Sequence, residues 1–130
     1  MSKIITKIFL DNNIKKEYHG YVIEYDTDNQ IFLKINTFQS CCEIWGHEIE
    51  YLPTKPNPNT EDSKEDFIGA KVLSVNWLPD EKRDDCGIKV KVKVITDHGD
   101  IILKVWNDHN GYYPHQVHAY WENYDEKQSI

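Results

Sequence analysis

No stretch of this chain approaches the ~20 consecutive apolar residues that a bilayer-spanning helix needs. The opening, MSKIITKIFLDNN, has Lys3 and Lys7 but neither a long apolar core nor a small-residue cleavage site, so it does not read as a secretory signal. Cysteine is scarce: three residues, Cys41, Cys42 and Cys86, two of them adjacent. That is no disulfide framework, and a reducing, cytoplasmic setting is the expectation. A CxxC pair, with which structural zinc sites usually hold their metal, is missing, and no cofactor is expected. Positive charge is also short: 15 Lys and Arg face 22 Asp and Glu, for a net charge of −7. General binding to nucleic acid needs Lys and Arg to release counterions, so it is not expected, and neither is a membrane. The acidic balance suits plain solubility or a basic partner.

What the chain does have is aromatic and β-branched. Of its 130 residues, 39% are hydrophobic and 12% aromatic, with four Trp and eight Tyr against one Met. That length suits one domain spanning residues 1–130, and that composition suits sheets. The stretch from Val90 to Trp121 organises the reading. Val90, Val92 and Val94 alternate with Lys91 and Lys93, the period of a half-buried strand. Residues 97–100 are a turn, residues 101–106 a second β-branched run, and residues 107–111 a second turn. A third strand over residues 112–121 would complete a three-strand meander.

Earlier in the chain, residues 3–10 read as a strand. Residues 18–25 and 30–36 read as a hairpin, with Tyr21, Ile23 and Tyr25 on one face and Ile31, Leu33 and Ile35 on one face of its partner. A strand through Cys42 to Trp45 is expected to break or bulge at Gly46. Residues 52–66, with Pro53, Pro56 and Pro58, read as a Pro-rich acidic loop. Ser63, with Asp66 three residues on, is a candidate N-cap for one helical turn. Over residues 70–78, Leu73, Val75 and Trp77 form the apolar face. Residues 79–87 read as a charged loop, and residues 122–130 as a polar tail that frays. The sum is a mainly β, antiparallel sandwich or small barrel of about seven to eight strands, with at most one short helix near 60–68.

Chemistry is harder to find. Cys41 and Cys42 are neighbours on an extended segment, so one thiol faces the core and the other a solvent or groove side. Cys42, His47 and Cys86 with a His as the fourth ligand would complete a zinc set on paper, but two small buried residues explain the cysteine pair more simply. His115 and His118 are three apart, which puts them on opposite faces of a strand. His98 and His109 fall in turns beside aspartates. Asn110-Gly111 makes a tight turn, and the Tyr112-Tyr113 pair after it sends one ring to each face. The segment around Cys42, Glu43 and Trp45, with Asn110, Tyr112, Tyr113 and His115, is the candidate ligand-binding surface if the sheet brings the two together. No catalytic set and no metal set is complete.

Three segments together, Cys41-Cys42-Glu43, then FIGAKVL at residues 67–73, then GDIILKVWNDHNGYYPHQV at residues 99–117, resemble a family of small uncharacterised proteins found mostly in bacteriophages. Its members carry Cys-Cys-Glu, a Leu-Ile-Gly step and a closing hairpin ending in Ser-Asn-Gly-Tyr-Tyr-Ser. The chain departs from that pattern: His109 and Pro114 stand where the family has Ser, and the family's aromatic strand before the Gly turn is the Val-Lys repeat here. Residues before Tyr18 have no counterpart. The resemblance implies a viral or phage-type accessory protein of the host-cell cytoplasm and carries no mechanism.

Three functions compete on these grounds. The first is a non-enzymatic binding protein that sequesters a host protein or a small nucleotide signal. For a nucleotide, Lys71, Arg83, Lys89, Lys91 and Lys93 are the available cations, although a solvated sheet face explains the last three. The second is a small hydrolase or transferase using Cys42 or a His. The third is an assembly protein that forms a homo-oligomer through a sheet edge. The first is the expectation carried forward.

Overall fold

Alternation of apolar and polar residues builds most of this molecule. The computed structural model describes residues 2–13, 15–37, 45–55, 63–83, 87–108 and 115–130. Among them are ten strands: β1 (Ile5–Asp11), β2 (Tyr18–Tyr25), β3 (Asn29–Asn36), β4 (Trp45–Pro53), β5 (Val72–Trp77), β6 (Glu81–Arg83), β7 (Gly87–Thr96), β8 (Gly99–Asn107), β9 (Gln116–Trp121) and β10 (Tyr124–Ser129). They form two antiparallel five-stranded sheets, which make a β-sandwich rather than a closed barrel. The first sheet has the order β1-β2-β3-β9-β10; the second runs β4-β8-β7-β5, with β6 also paired to β7. Ile23, Ile31, Leu33 and Ile35 from the first sheet meet Val90, Val92, Val94, Ile101, Leu103 and Val105 from the second, all at most 1% exposed.

The sheets are stitched together at one corner. Ile5 N–H donates to the Ala70 carbonyl at 2.8 Å, and Gly69 N–H to the Ile5 carbonyl at 2.9 Å. Gly69 closes the turn there with φ +89°, a conformation open to residues without a Cβ. The expected helical turn is present as a 3-10 turn at Lys64–Asp66. The Ser63 hydroxyl accepts from Glu65 N–H, and the Asp66 carboxylate from Ser63 N–H, a reciprocal capping box.

The structure departs from the pattern-based reading in five places. The seven or eight strands become ten because β6 lies in the charged segment and β10 in the polar tail. Both are edge strands, which need a backbone partner more than an apolar face. β10 does not fray: it pairs with β9 over six residues, and Ile130 after it is 8% exposed. The expected meander stops after β8. β7 and β8 form the hairpin, but β4 takes the other side of β8 along Trp45–Pro53, so β9 joins β3 in the opposite sheet.

β4 neither breaks nor bulges at Gly46, and it continues through Leu52 and Pro53, which the reading placed in the loop. Gly46 is there for close approach: a Cβ would lie 2.5 Å from the Trp106 ring, which crosses it. Pro53 is tolerated because β4 is the sheet's edge. Finally, a register shift between Val72 and Ser74 puts Val72 inward, at 5% exposed, and leaves Leu73 57% exposed. The strand read over Cys42 to Ile44, and residues 56–62 of the Pro-rich loop, fall outside the described residues.

Candidate binding site at the loop-bearing end of the sandwich

One end of the sandwich gathers four strand termini. β3 ends at Asn36 and β4 begins at Trp45; β8 ends at Asn107 and β9 begins at Gln116. Trp45 and Ile88 both stand opposite Asn107, so the starts of β4 and β7 and the end of β8 share one level. Across the sandwich, the His115 Nδ1 lies 2.8 Å from the Asn36 carbonyl, and His115 exchanges backbone hydrogen bonds with Ile130 at 2.8 and 3.0 Å.

Of the seven predicted ligand-binding residues, Trp45 and His115 are described, and the fold brings them together with ring centroids 6.2 Å apart. Cys42, Glu43, Asn110, Tyr112 and Tyr113 lie outside the described residues, as do Cys41 and Cys86. His115 is 3% exposed on the core side, while His118 lies on the opposite face, as strand geometry requires.

Two further histidines complete the cluster. His47 is 6.3 Å and His19 6.1 Å from the Trp45 ring, and Tyr21 meets His47 edge-on at 5.7 Å. On sequence, His47 is weighed only as a zinc ligand and His19 is not singled out, although the signal for both is available. His47 is two residues from Trp45 on β4, and His19 is two from Tyr21 on β2, so period 2 puts each on its strand's inner face.

The cluster is electrostatically unusual. Trp45 Nε1 and His47 Nδ1 are buried without a hydrogen-bond partner among the described residues. Leaving such a group dry and unpaired costs about 1–3 kcal/mol, and native structures keep few of them. Burial also pushes the His47 pKa down, helped by His19 and opposed by a contact with its own backbone. His47 is therefore held neutral in the folded protein at pH values where the unfolded chain, with an ordinary value of 6.5, takes up a proton. The stability this contributes is present above that value and is lost as pH falls from it through the folded value. Urea midpoints at neutral and mildly acidic pH should fall further in wild type than in His47→Phe. Equal losses would mean that the folded state protonates His47 as readily as the unfolded one.

Among the described residues no group of three His, Cys, Asp or Glu is placed to hold a metal ion. No helix there is long and apolar enough to cross a membrane. The cations expected around a nucleotide are not gathered at Trp45. Lys89, Lys91 and Lys93 alternate with the buried Val90, Val92 and Val94 and so lie on the outer face of β7. Lys91 pairs with Glu81 at 3.4 Å, Lys93 with Asp100 at 3.3 Å, and the Lys89 ammonium sits 5.5 Å from the centre of the Trp106 ring. The Lys71 backbone is tied to Asp97 next to the β7–β8 turn, at the far end of that hairpin.

No curated protein and no solved structure matches the chain. Its affiliation comes from sequence: the model of a family described as a domain of unknown function (DUF7448) matches residues 1–119, which take in β1 through β8 and part of β9, and the chain belongs to that family.

Proposed function

We propose that this domain is a non-enzymatic accessory protein of phage or viral type, working in the host cytoplasm by occupying a host protein at its Trp45 end. One observation carries the reading: the buried Trp45 Nε1, unpaired among the described residues, inside a ring cluster. A carbonyl of a bound segment would accept from Trp45 Nε1 and remove the desolvation penalty of the free state. Tryptophan is also among the residues enriched as anchors at protein interfaces. The net charge of −7 suits a basic partner. The lysines on the outer face of β7 favour a protein over a nucleotide, whose phosphates would need cations beside the ring. The phage assignment rests on the three resembling segments described above.

The test is affinity capture from a bacterial lysate with the full chain, followed by titration calorimetry with the purified partner. Trp45→Phe keeps a ring in place and removes the N–H. The expected result is about tenfold weaker binding, the loss of one hydrogen bond, with thermal stability kept. A partner that binds Trp45→Phe as tightly as wild type, or no protein retained by wild type beyond what the variant retains, overturns the proposal.

A further inference from the structure

The solvent face of the first sheet carries a feature that single strands do not reveal. Register places Phe9 opposite Val22, Val22 opposite Phe32, Phe32 opposite Tyr120, and Tyr120 opposite Asp125. One cross-strand row therefore spans all five strands, apolar or aromatic over four of them. Val22 is 0% exposed although it points away from the core, so its neighbours in the row cover it. Phe32 and Tyr120 stack at 5.3 Å with planes 13° apart. His118 meets Phe32 edge-on at 4.8 Å, and its Nε2 lies 2.8 Å from an Asp125 carboxylate oxygen.

Beside this stack lies a recess of about 340 Å³, within the roughly 300–1,000 Å³ of small-molecule sites. Its other wall comes from the start of β3. Asp28, Asn29 and Gln30 stand there, and their side chains make no hydrogen bond among the described residues; neither does the Tyr120 hydroxyl. The tight β2–β3 turn, with Asp26 and Thr27 at φ 50° and 66°, presents them at the rim.

We propose that this recess is a binding site for a neutral saccharide. Sugar C–H faces pack on aromatic rings, and hydroxyls, each donor and acceptor, are met by the free Asp28 carboxylate, the second oxygen of Asp125, two amides and a phenol. Charge excludes the other small ligands that aromatic rings attract. The Lys34 ammonium already lies 4.4 Å from the centre of the Phe32 ring and is bonded to Asp11 at 2.9 Å, so a ligand cation gains little there. Asp28 and Asp125 oppose a phosphate. The site lies on the opposite face of the sheet from the Trp45 cluster and is independent of the function proposed there.

The experiment is a ¹⁵N–¹H correlation titration of the full chain with glucose, galactose, N-acetylglucosamine and lactose, each to tens of millimolar. The expected result is saturable shifts at Gln30, Phe32, His118 and Tyr120 with at least one sugar. Tyr120→Ala should weaken binding at least tenfold, and Asp125→Asn severalfold. Tyr120→Phe, which keeps the stack, should fold as wild type and bind more weakly through loss of the hydroxyl. The absence of saturable shifts with every sugar, or undiminished binding by Tyr120→Ala, overturns the proposal. So does a stronger response of the same residues to tetramethylammonium or to ATP.

Discussion

Phe67→Ala should lower the unfolding free energy by about 3–5 kcal/mol, the usual range for emptying a fully buried aromatic site. Phe67 is 0% exposed and stacks on Tyr51 with centroids 5.6 Å apart. It follows the 3-10 turn directly, and its backbone is fixed on both sides: Phe67 N–H donates to Lys64, and the Phe67 carbonyl accepts from Ala70. The ring cannot be replaced by a simple shift of the chain, because the next residues are stitched to β1. A cavity therefore remains, and its cost adds to the lost transfer energy. Burial also pushes the Tyr51 phenol well above its ordinary pKa, with Tyr21 and Glu65 adding to the shift, so the partner ring stays neutral. Urea unfolding of Phe67→Ala beside Ile68→Ala is the measurement. Ile68 is 39% exposed and its loss should stay within about 0.5 kcal/mol. A Phe67→Ala loss as small as that of Ile68→Ala would mean the core closes over the site.

Deleting residues 124–130 should cost more than about 4 kcal/mol, a large part of a domain's usual 5–15 kcal/mol, and should leave aggregated or largely unfolded protein. The deletion removes the whole of β10 and with it six residue pairs to β9. It removes the Tyr124 ring, stacked at 4.2 Å on Trp121, and the hydroxyl that accepts from Trp77 Nε1 at 2.6 Å. That hydroxyl also donates to Glu126. It removes the buried Ile130 and both of its backbone bonds to His115. β9 would become an unpaired edge, the feature that invites aggregation. Circular dichroism and light scattering of the shortened chain decide this. Tyr124→Phe is the control, since it keeps the strand and the stack and gives up only the hydroxyl's hydrogen bonds. A shortened chain as stable and monomeric as wild type would make β10 an ornament of the sandwich.

The contrast between these two segments shows how much of the fold was legible. β3, β7 and β8 announce themselves, because each buries every second residue against the core. The Ser63–Asp66 cap is equally local, and it is where the spacing puts it. β6 and β10 are mostly charged or polar and carry no such pattern. They exist because a neighbouring strand offers its backbone. The exposed Leu73 is a similar case: the shift of register beside it is invisible in a sequence that alternates without interruption.

The candidate site divides the same way. Trp45 and His115 were chosen as neighbours of two conspicuous segments, and the fold does pack their rings together. Cys42, Glu43, Asn110, Tyr112 and Tyr113 fall outside the described residues. His19 and His47 were readable as inward-facing, but their meeting around one indole needed β2 and β4 to face each other across the core. The row from Phe9 to Tyr120 had no local sign at all, since each strand contributes a single residue to it.

By itself the sequence determined the class of the fold, the inner face of most strands and the short capped turn. Those depend on period and on hydrogen bonds within a few residues, which chemistry along the chain dictates. Only the tertiary structure decided which strand lies beside which: that β9 leaves its hairpin neighbours for β3, that the last residues complete a sheet, and that rings far apart in sequence gather at one end and on one face. Backbone hydrogen bonds between strands are alike for every pair, so the choice among partners falls to the packing of the whole core.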